Sequence, residues 1–163
     1  MSERRLEFTW DDPAVALEGA RTLPGRTYLE GVRDGRFPPP PFVKLLGIRL
    51  RTVGDGTVAF VAEPAEYAYN TISLVHGGWI ATILDSAIGC AVTTKMPAGR
   101  FAVTLDLQVR YFKPLTATTG EVRCEGAVLN LGRTTGTGEA RLLDAAGRVH
   151  AHATSSLSIV EAR

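Results

Sequence analysis

The stretch NTISLVHGGWIATILDSAIG, Asn70 to Gly89, sets an Asn, a His and two glycines ahead of an apolar run that holds one carboxylate, Asp85. The run reaches Lys95 and stops at MPAG, where proline and glycine cannot extend a helix. A helix over Trp79 to Lys95 would be roughly 25 Å long at 1.5 Å per residue. Ile80, Ile83, Leu84, Ala87, Ile88 and Ala91 make one apolar stripe, and the other faces carry Ala81, Thr82, Ser86, Gly89 and Cys90. Apart from Trp79 and Asp85, almost nothing wants water before Thr93, so the pattern predicts a helix buried on nearly every side.

What buries it is legible on either side. Upstream, Ile48 to Val53 and Thr57 to Ala62 flank GDG, a turn of hairpin length, and read as two antiparallel strands. Downstream come alternating segments over Phe101 to Lys113, Thr119 to Asn130 and Arg133 to Leu143, then Arg148 to Ile159 after the turn DAAG. Connections this short cannot hold crossover helices, which excludes a doubly wound parallel sheet. The expected fold is α+β: an antiparallel sheet of about six strands wrapped around one long helix. Ahead of it, PPPP (Pro38 to Pro41) fixes an extended entry and FVKLLG reads as a short helix ended by Gly47. Residues 1–36 are charged and interrupted by Gly19, Gly25, Gly31 and Gly35, with short helical stretches around Ala14 to Ala20 and Tyr28 to Arg33; they read as a peripheral arm on a domain spanning 37–163.

Composition narrows the function classes. The 163 residues suit one domain, and 18 basic against 17 acidic side chains give no overall field for nucleic acid or an anionic membrane. Cys90 and Cys124 form no CxxC pair or metal-ligand cluster and read as free thiols in a reducing cytosol. The N-terminal MSERRLEFTWDDPA has no apolar signal-peptide core, and no apolar run approaches ~18 residues, so a soluble, unexported, cytoplasmic protein is expected. No GxSxG elbow is present, and GRTTGTG matches neither a phosphate loop nor a dinucleotide fingerprint. His150 and His152 share a strand face but lack an evident third ligand, so no metal is expected, nor any cofactor.

Asp85 is the residue that needs explaining. At 100° per residue it lies roughly 130° from the centre of the apolar stripe, among Ala81, Thr82 and Gly89, whose small side chains leave room beside it. A carboxylate out of water without partners is costly, so this flank meets solvent, binds donors or does chemistry. His76, Gly77 and Gly78 stand where the helix begins, with unpaired backbone N–H groups and the positive end of the macrodipole. That combination suits a developing oxyanion, although a flexible helix start would also explain HGG.

Asn70, His76, Gly77, Gly78 and Asp85, in the order N-x5-H-G-G-x6-D, resemble the core of hotdog-fold acyl-CoA thioesterases, in particular the phenylacetic-acid-degradation branch. The resemblance runs from about Pro38 to Ile159 and includes VTLDLQVRYFKP, Val103 to Pro114, and LNLGRTTGTGEARLLDAAGRVHAHAT; residues up to about Gly25 lie outside it. It implies a sheet wrapped on one helix, homodimers joined edge to edge and often paired into tetramers, and an active site between subunits. Asp85 would be the catalytic carboxylate, as general base or nucleophile, and Gly78 N–H or a close neighbour would polarise the thioester carbonyl. Asn70 would orient thioester or water, with a structural loop amide as its plainer role; His76 would support the loop. Thr104 matches a small hydroxyl residue that faces the carboxylate from the partner's strand, though threonine also simply favours strands.

For the phosphates of the acyl-CoA substrate, the candidates are Arg110 and Lys113 near the end of the long strand and Arg133 in the GRTTG turn. Trp79 and Tyr69 could line an acyl pocket, with core packing the plainer use of both. Two rival functions remain: a hotdog hydratase or dehydratase using His76 with Asp85, and an acyl-CoA-binding module without turnover. The first lacks the proline-rich surround of a catalytic histidine; the second leaves Asp85 unexplained and has no attached DNA-binding segment.

Overall fold

The long helix begins two residues earlier than the periodicity predicts, because a ring caps it. His76 Nδ1 accepts from Gly78 N–H at 2.9 Å, one of the donors a helix start leaves unpaired, and α4 then runs Gly77–Thr93. It closes with Thr94 and Lys95 turning back onto Cys90 and Val92 carbonyls. The computed structural model describes residues 3–161. In chain order the other elements are α1 (Pro13–Thr22), α2 (Gly25–Arg33), α3 (Pro41–Leu45), β1 (Arg49–Val53), β2 (Thr57–Ala62), β3 (Arg100–Tyr111), β4 (Val122–Leu131), β5 (Thr135–Leu143) and β6 (Val149–Glu161).

All six strands form one antiparallel sheet in the order β1-β2-β4-β5-β6-β3. Period-two alternation sets its two faces: on β6, Ala151, Ala153, Ser155 and Leu157 are buried while His152, Thr154, Ser156 and Ser158 are half-buried on the far side. The buried face closes on α4, whose Ile83, Leu84, Ala87, Ile88, Ala91 and Val92 have no exposed surface. Each of the larger side chains adds about 1.5–3 kcal/mol by leaving water, which is why an apolar helix sits inside the sheet's curve.

Two features position the site. β3, beside β6 and otherwise unpaired, is an edge strand of 12 residues with Val103 half exposed and Leu105 63% exposed. A bulge between Thr104 and Asp106 makes Leu105 the extra residue opposite Leu157 and Ser156. The second feature corrects the reading of the arm. α1 and α2 form as expected, but Gly19 and Gly31 lie inside them rather than breaking them, and both are contact points: a Cβ at either would come within 2.6 Å of the Phe37 ring.

Candidate functional site

Asp85 is half-buried on α4, and its Oδ1 accepts from Thr104 Oγ1 at 2.9 Å. Both groups belong to one chain: β3 returns alongside α4 and delivers the hydroxyl directly. Asp85 Oδ2 has no hydrogen-bond partner among the described residues. The acid opens onto a cavity of about 300 Å³ bounded by α2, β1, β2, α4 and β3, with Cys90, Gly89 and Thr104 beside it. Burial, with the Asp85 charge adding to it, pushes the Cys90 thiol up to about 12, so this neighbour stays a neutral thiol.

The helix start is a separate place. Gly77 and Asp85 are eight residues apart, roughly 12 Å along the axis. Asn70 Oδ1 accepts from Ile72 N–H (3.0 Å) and Leu74 N–H (3.2 Å), so its oxygen holds the loop closed. Ser73, in that loop, has φ 59°, the left-handed region that costs a non-glycine residue energy, and the loop's own hydrogen bonds hold it there. His76 spends Nδ1 on Gly78 N–H, which also takes that N–H out of use as a free oxyanion donor. The donor left over is Gly77 N–H, with no acceptor among the described residues. Tyr111, to which the sequence pattern assigns no role, braces this point: its hydroxyl donates to Gly77 O at 3.0 Å. A second cavity, of about 310 Å³, is lined here by Asn70, Gly77, Ile80, Tyr111 and Lys113.

The three cations proposed for phosphate do not gather. Lys113 stands at the helix start. Arg110 is Cα-paired with His152 and shares the sheet face turned away from α4. Arg133 lies in the β4–β5 turn, its carbonyl accepting from Arg100 Nη2 at 3.3 Å, at the opposite end of β3 from Lys113. Strand direction separates them. Trp79 is buried with Nε1–H donating to Leu46 O at 3.1 Å, and Tyr69 Oη accepts from Ala117 N–H at 2.8 Å. His150 and His152 bond to Asp144 and Glu139 respectively, and no group of three metal-binding side chains occurs among the described residues. No helix there is long and apolar enough to cross a membrane.

Comparison with known proteins fits this geometry. The family model described as the thioesterase superfamily matches residues 73–151, from the loop before α4 into β6. A Halobacterium salinarum protein named as an esterase is 34% identical over 82 residues, 49% of this chain and 52% of that one, so the match spans about half the length of each. A variant of the phenylacetic acid degradation protein PaaI from Thermus thermophilus superposes with TM-score 0.66 at 28% identity, over 73% of this chain and 98% of that one. A Streptococcus mutans protein bound to acetyl-CoA shares the fold, with TM-score 0.64 at 24% identity over 71% of this chain and 90% of that one.

An antiparallel sheet curved around one long helix, with this match across its centre, is the hotdog fold. The thioesterase-superfamily model and the PaaI structure are what this chain is similar to over those spans.

Proposed function

We propose that the protein hydrolyses acyl-CoA thioesters to the free acid and coenzyme A, with Asp85 as the catalytic carboxylate. The observation that carries this is the state of Asp85: Thr104 fixes one oxygen, and the other is unspent at the mouth of an apolar cavity. As general base the carboxylate takes a proton from water, the oxygen adds to the thioester carbonyl, the C–S bond breaks and the thiolate leaves with the proton. As nucleophile it displaces the coenzyme A thiolate to form an acyl anhydride, which water then cleaves to the free acid and the restored carboxylate, the remaining proton going to the thiolate. Either route needs a donor for the carbonyl oxygen, and Gly77 N–H at the positive end of α4 is the free one.

One chain does not bring that donor to its own Asp85, roughly 12 Å further along the helix. A second copy would. β3 is an open edge with exposed apolar side chains and also carries Thr104, so a copy paired there stands beside the carboxylate. In this reading the active unit is a homodimer, the helix start of one copy facing Asp85 of the other, and Lys113 near that start takes a phosphate of coenzyme A. The acetyl-CoA bound by the S. mutans neighbour supports the substrate class. A hydratase using His76 is disfavoured, because the ring's Nδ1 already caps α4.

The test is thiol release from acetyl-, phenylacetyl- and octanoyl-CoA by the purified protein, with free acid identified as the second product. Release above the buffer rate is expected for at least one ester. No release from any of them, with acyl-CoA still bound, would replace hydrolysis by binding without turnover.

A further inference from the structure

The chain as a whole carries almost no net charge, yet one groove gathers cations. It has a volume of about 570 Å³ and lies between α2, α3 and β1, with Arg33, Lys44, Arg49 and Arg51 in its lining and, among the described residues, one carboxylate, Glu121. That volume falls within the roughly 300–1,000 Å³ of small-molecule sites. Three of the cations have partners at the surface: Arg33 with Asp34 (2.7 Å), Lys44 with Asp11 (3.2 Å) and Arg49 with Glu121 (3.5 Å). Exposed ion pairs of this kind contribute little, so a more highly charged anion can displace the carboxylates.

Arg51 is the exception. It is exposed, and its guanidinium has no hydrogen bond or ion pair among the described residues. A bulge puts it there: Leu50 pairs with Phe60 and Thr52 with Ala59, which makes Arg51 the extra residue of an edge strand, where the alternation of strand faces breaks. The opposite wall is fixed. Gly25 N–H donates to Met96 O at 2.9 Å, and a Cβ at residue 25 would stand 1.9 Å from Thr93 O, so α2 seats against the end of α4 and packs along β1. The groove also adjoins the cavity beside Asp85, because Val32, Pro39, Ile48 and Leu50 line both.

We infer that this groove binds the diphosphate of a nucleotide, with Arg51 as the cation that holds it. A guanidinium whose donors are all free matches a phosphate bidentately, and a diphosphate spans neighbouring cations where a single carboxylate cannot. The apolar part of the wall, Val32, Pro39 and Leu50, leaves a surface for base or sugar. Two sources share this chemistry: the nucleotide end of coenzyme A and a free nucleoside diphosphate. The wall shared with the Asp85 cavity favours coenzyme A, whose pantetheine arm would run from the groove to the acid. Coenzyme A carries more than one phosphate, so Lys113 keeps its part. Binding needs only the groove; a role in turnover rests on the reading of the protein as an acyl-CoA thioesterase.

Calorimetry on the full chain, with coenzyme A, ADP and adenosine as probes, reads the site. Coenzyme A and ADP should bind, and adenosine should not. Arg51→Glu, at an exposed position without partners, should weaken both nucleotides at least ~10-fold with the melting temperature unchanged. Arg141 on β5 is equally exposed and also has no partner among the described residues. Arg141→Glu should leave Kd within about twofold, since a remote exposed charge is screened.

Kinetics distinguish the two sources. Displacement of ADP by coenzyme A, with a fall of at least ~10-fold in the ratio of kcat/KM for an acyl-CoA to that for the same acyl-pantetheine in Arg51→Glu, assigns the groove to the substrate. ADP bound alongside coenzyme A, with that ratio unmoved, assigns it to a free nucleotide. Both results support the groove, and Arg51-dependent binding without any thiol release would keep it while removing the hydrolysis reading. Failure of both nucleotides to bind wild type, binding that Arg51→Glu leaves unchanged, or equal weakening in Arg51→Glu and Arg141→Glu overturns it.

Discussion

Two aspartates of this chain are largely withdrawn from water, and they are treated in opposite ways. Asp144, at the β5–β6 turn with a side chain 3% exposed, accepts four hydrogen bonds: from Ala146 N–H, Arg148 N–H, Arg148 Nε and His150 Nε2. Its acceptor capacity is spent on holding the turn, and the bond from His150, ahead of those from Arg148, keeps its carboxyl well below the usual carboxylate range. Asp85, in the middle of α4, accepts one bond, from Thr104, and keeps an oxygen facing a cavity. A structural acid is saturated; an acid that works must leave room for the atom it acts on. The helix start repeats the contrast in its backbone, where Gly78 N–H is capped and Gly77 N–H is not.

Spent and unspent groups can be perturbed separately, and the two kinds should respond differently. After Asp85 itself, the largest effect is expected at Gly77, where proline removes the free N–H yet suits the first position of a helix. Its Cβ would come within 3.2 Å of Tyr111 Oη, a displacement of a few tenths of an ångström. Gly77→Pro should lower kcat/KM for thiol release roughly 10²-fold while Gly77→Ala, which keeps the donor, loses far less. Equal losses would make the site's need one of shape rather than of a donor.

Asp144→Ala should act on stability. It leaves His150 buried without its partner, and thermal melting should show a fall of roughly 5 °C or more at pH 7. The sign of its pH dependence follows from the depressed carboxyl. That contribution is fully present above the ordinary carboxylate pKa and is lost as pH falls through the lower folded value. The melting difference between wild type and Asp144→Ala should therefore shrink below about pH 4; a gap that widens in acid would contradict it.

Thr104→Val tests the single bond that Asp85 does accept. Loss of one hydrogen bond to a charged group corresponds to a roughly tenfold fall in kcat, with little change in melting temperature. The smallest effects are expected at His76 and Cys90. His76→Ala removes the α4 cap and should cost about 1 kcal/mol in denaturant unfolding. Cys90, its thiol held up at about 12, should resist iodoacetamide at pH 8 in the native protein; rapid stoichiometric labelling there would show that the cavity wall opens.

Much of this architecture is written locally. The buried helix follows from its apolar faces, and β6 from strict alternation between Ala151 and Ile159, because both depend only on periodicity. The space beside Asp85 was also legible, in the small residues around it. What was not legible depends on parts far apart in sequence. Gly19 and Gly31 read as breaks when they are seats for Phe37, whose ring they meet only after α1 and α2 pack. That His76 would spend Nδ1 on Gly78, leaving Gly77 as the open donor, is a matter of one ring's orientation. Arg133 and Lys113 seemed equivalent until β3 set them at opposite ends. Thr104 faces Asp85 within the chain because β3 and its bulge return it there.

The role of Asp85 is tested most directly by comparing thiol release and melting for Asp85→Asn against wild type, on whichever acyl-CoA wild type cleaves best. The substitution keeps shape and hydrogen bonding and removes the charge. A catalytic Asp85 predicts a fall in kcat of at least ~10²-fold with the melting temperature held or raised, since a poorly partnered half-buried charge has been removed. Turnover within a few-fold of wild type in the folded variant would contradict it and take Asp85 out of the chemistry.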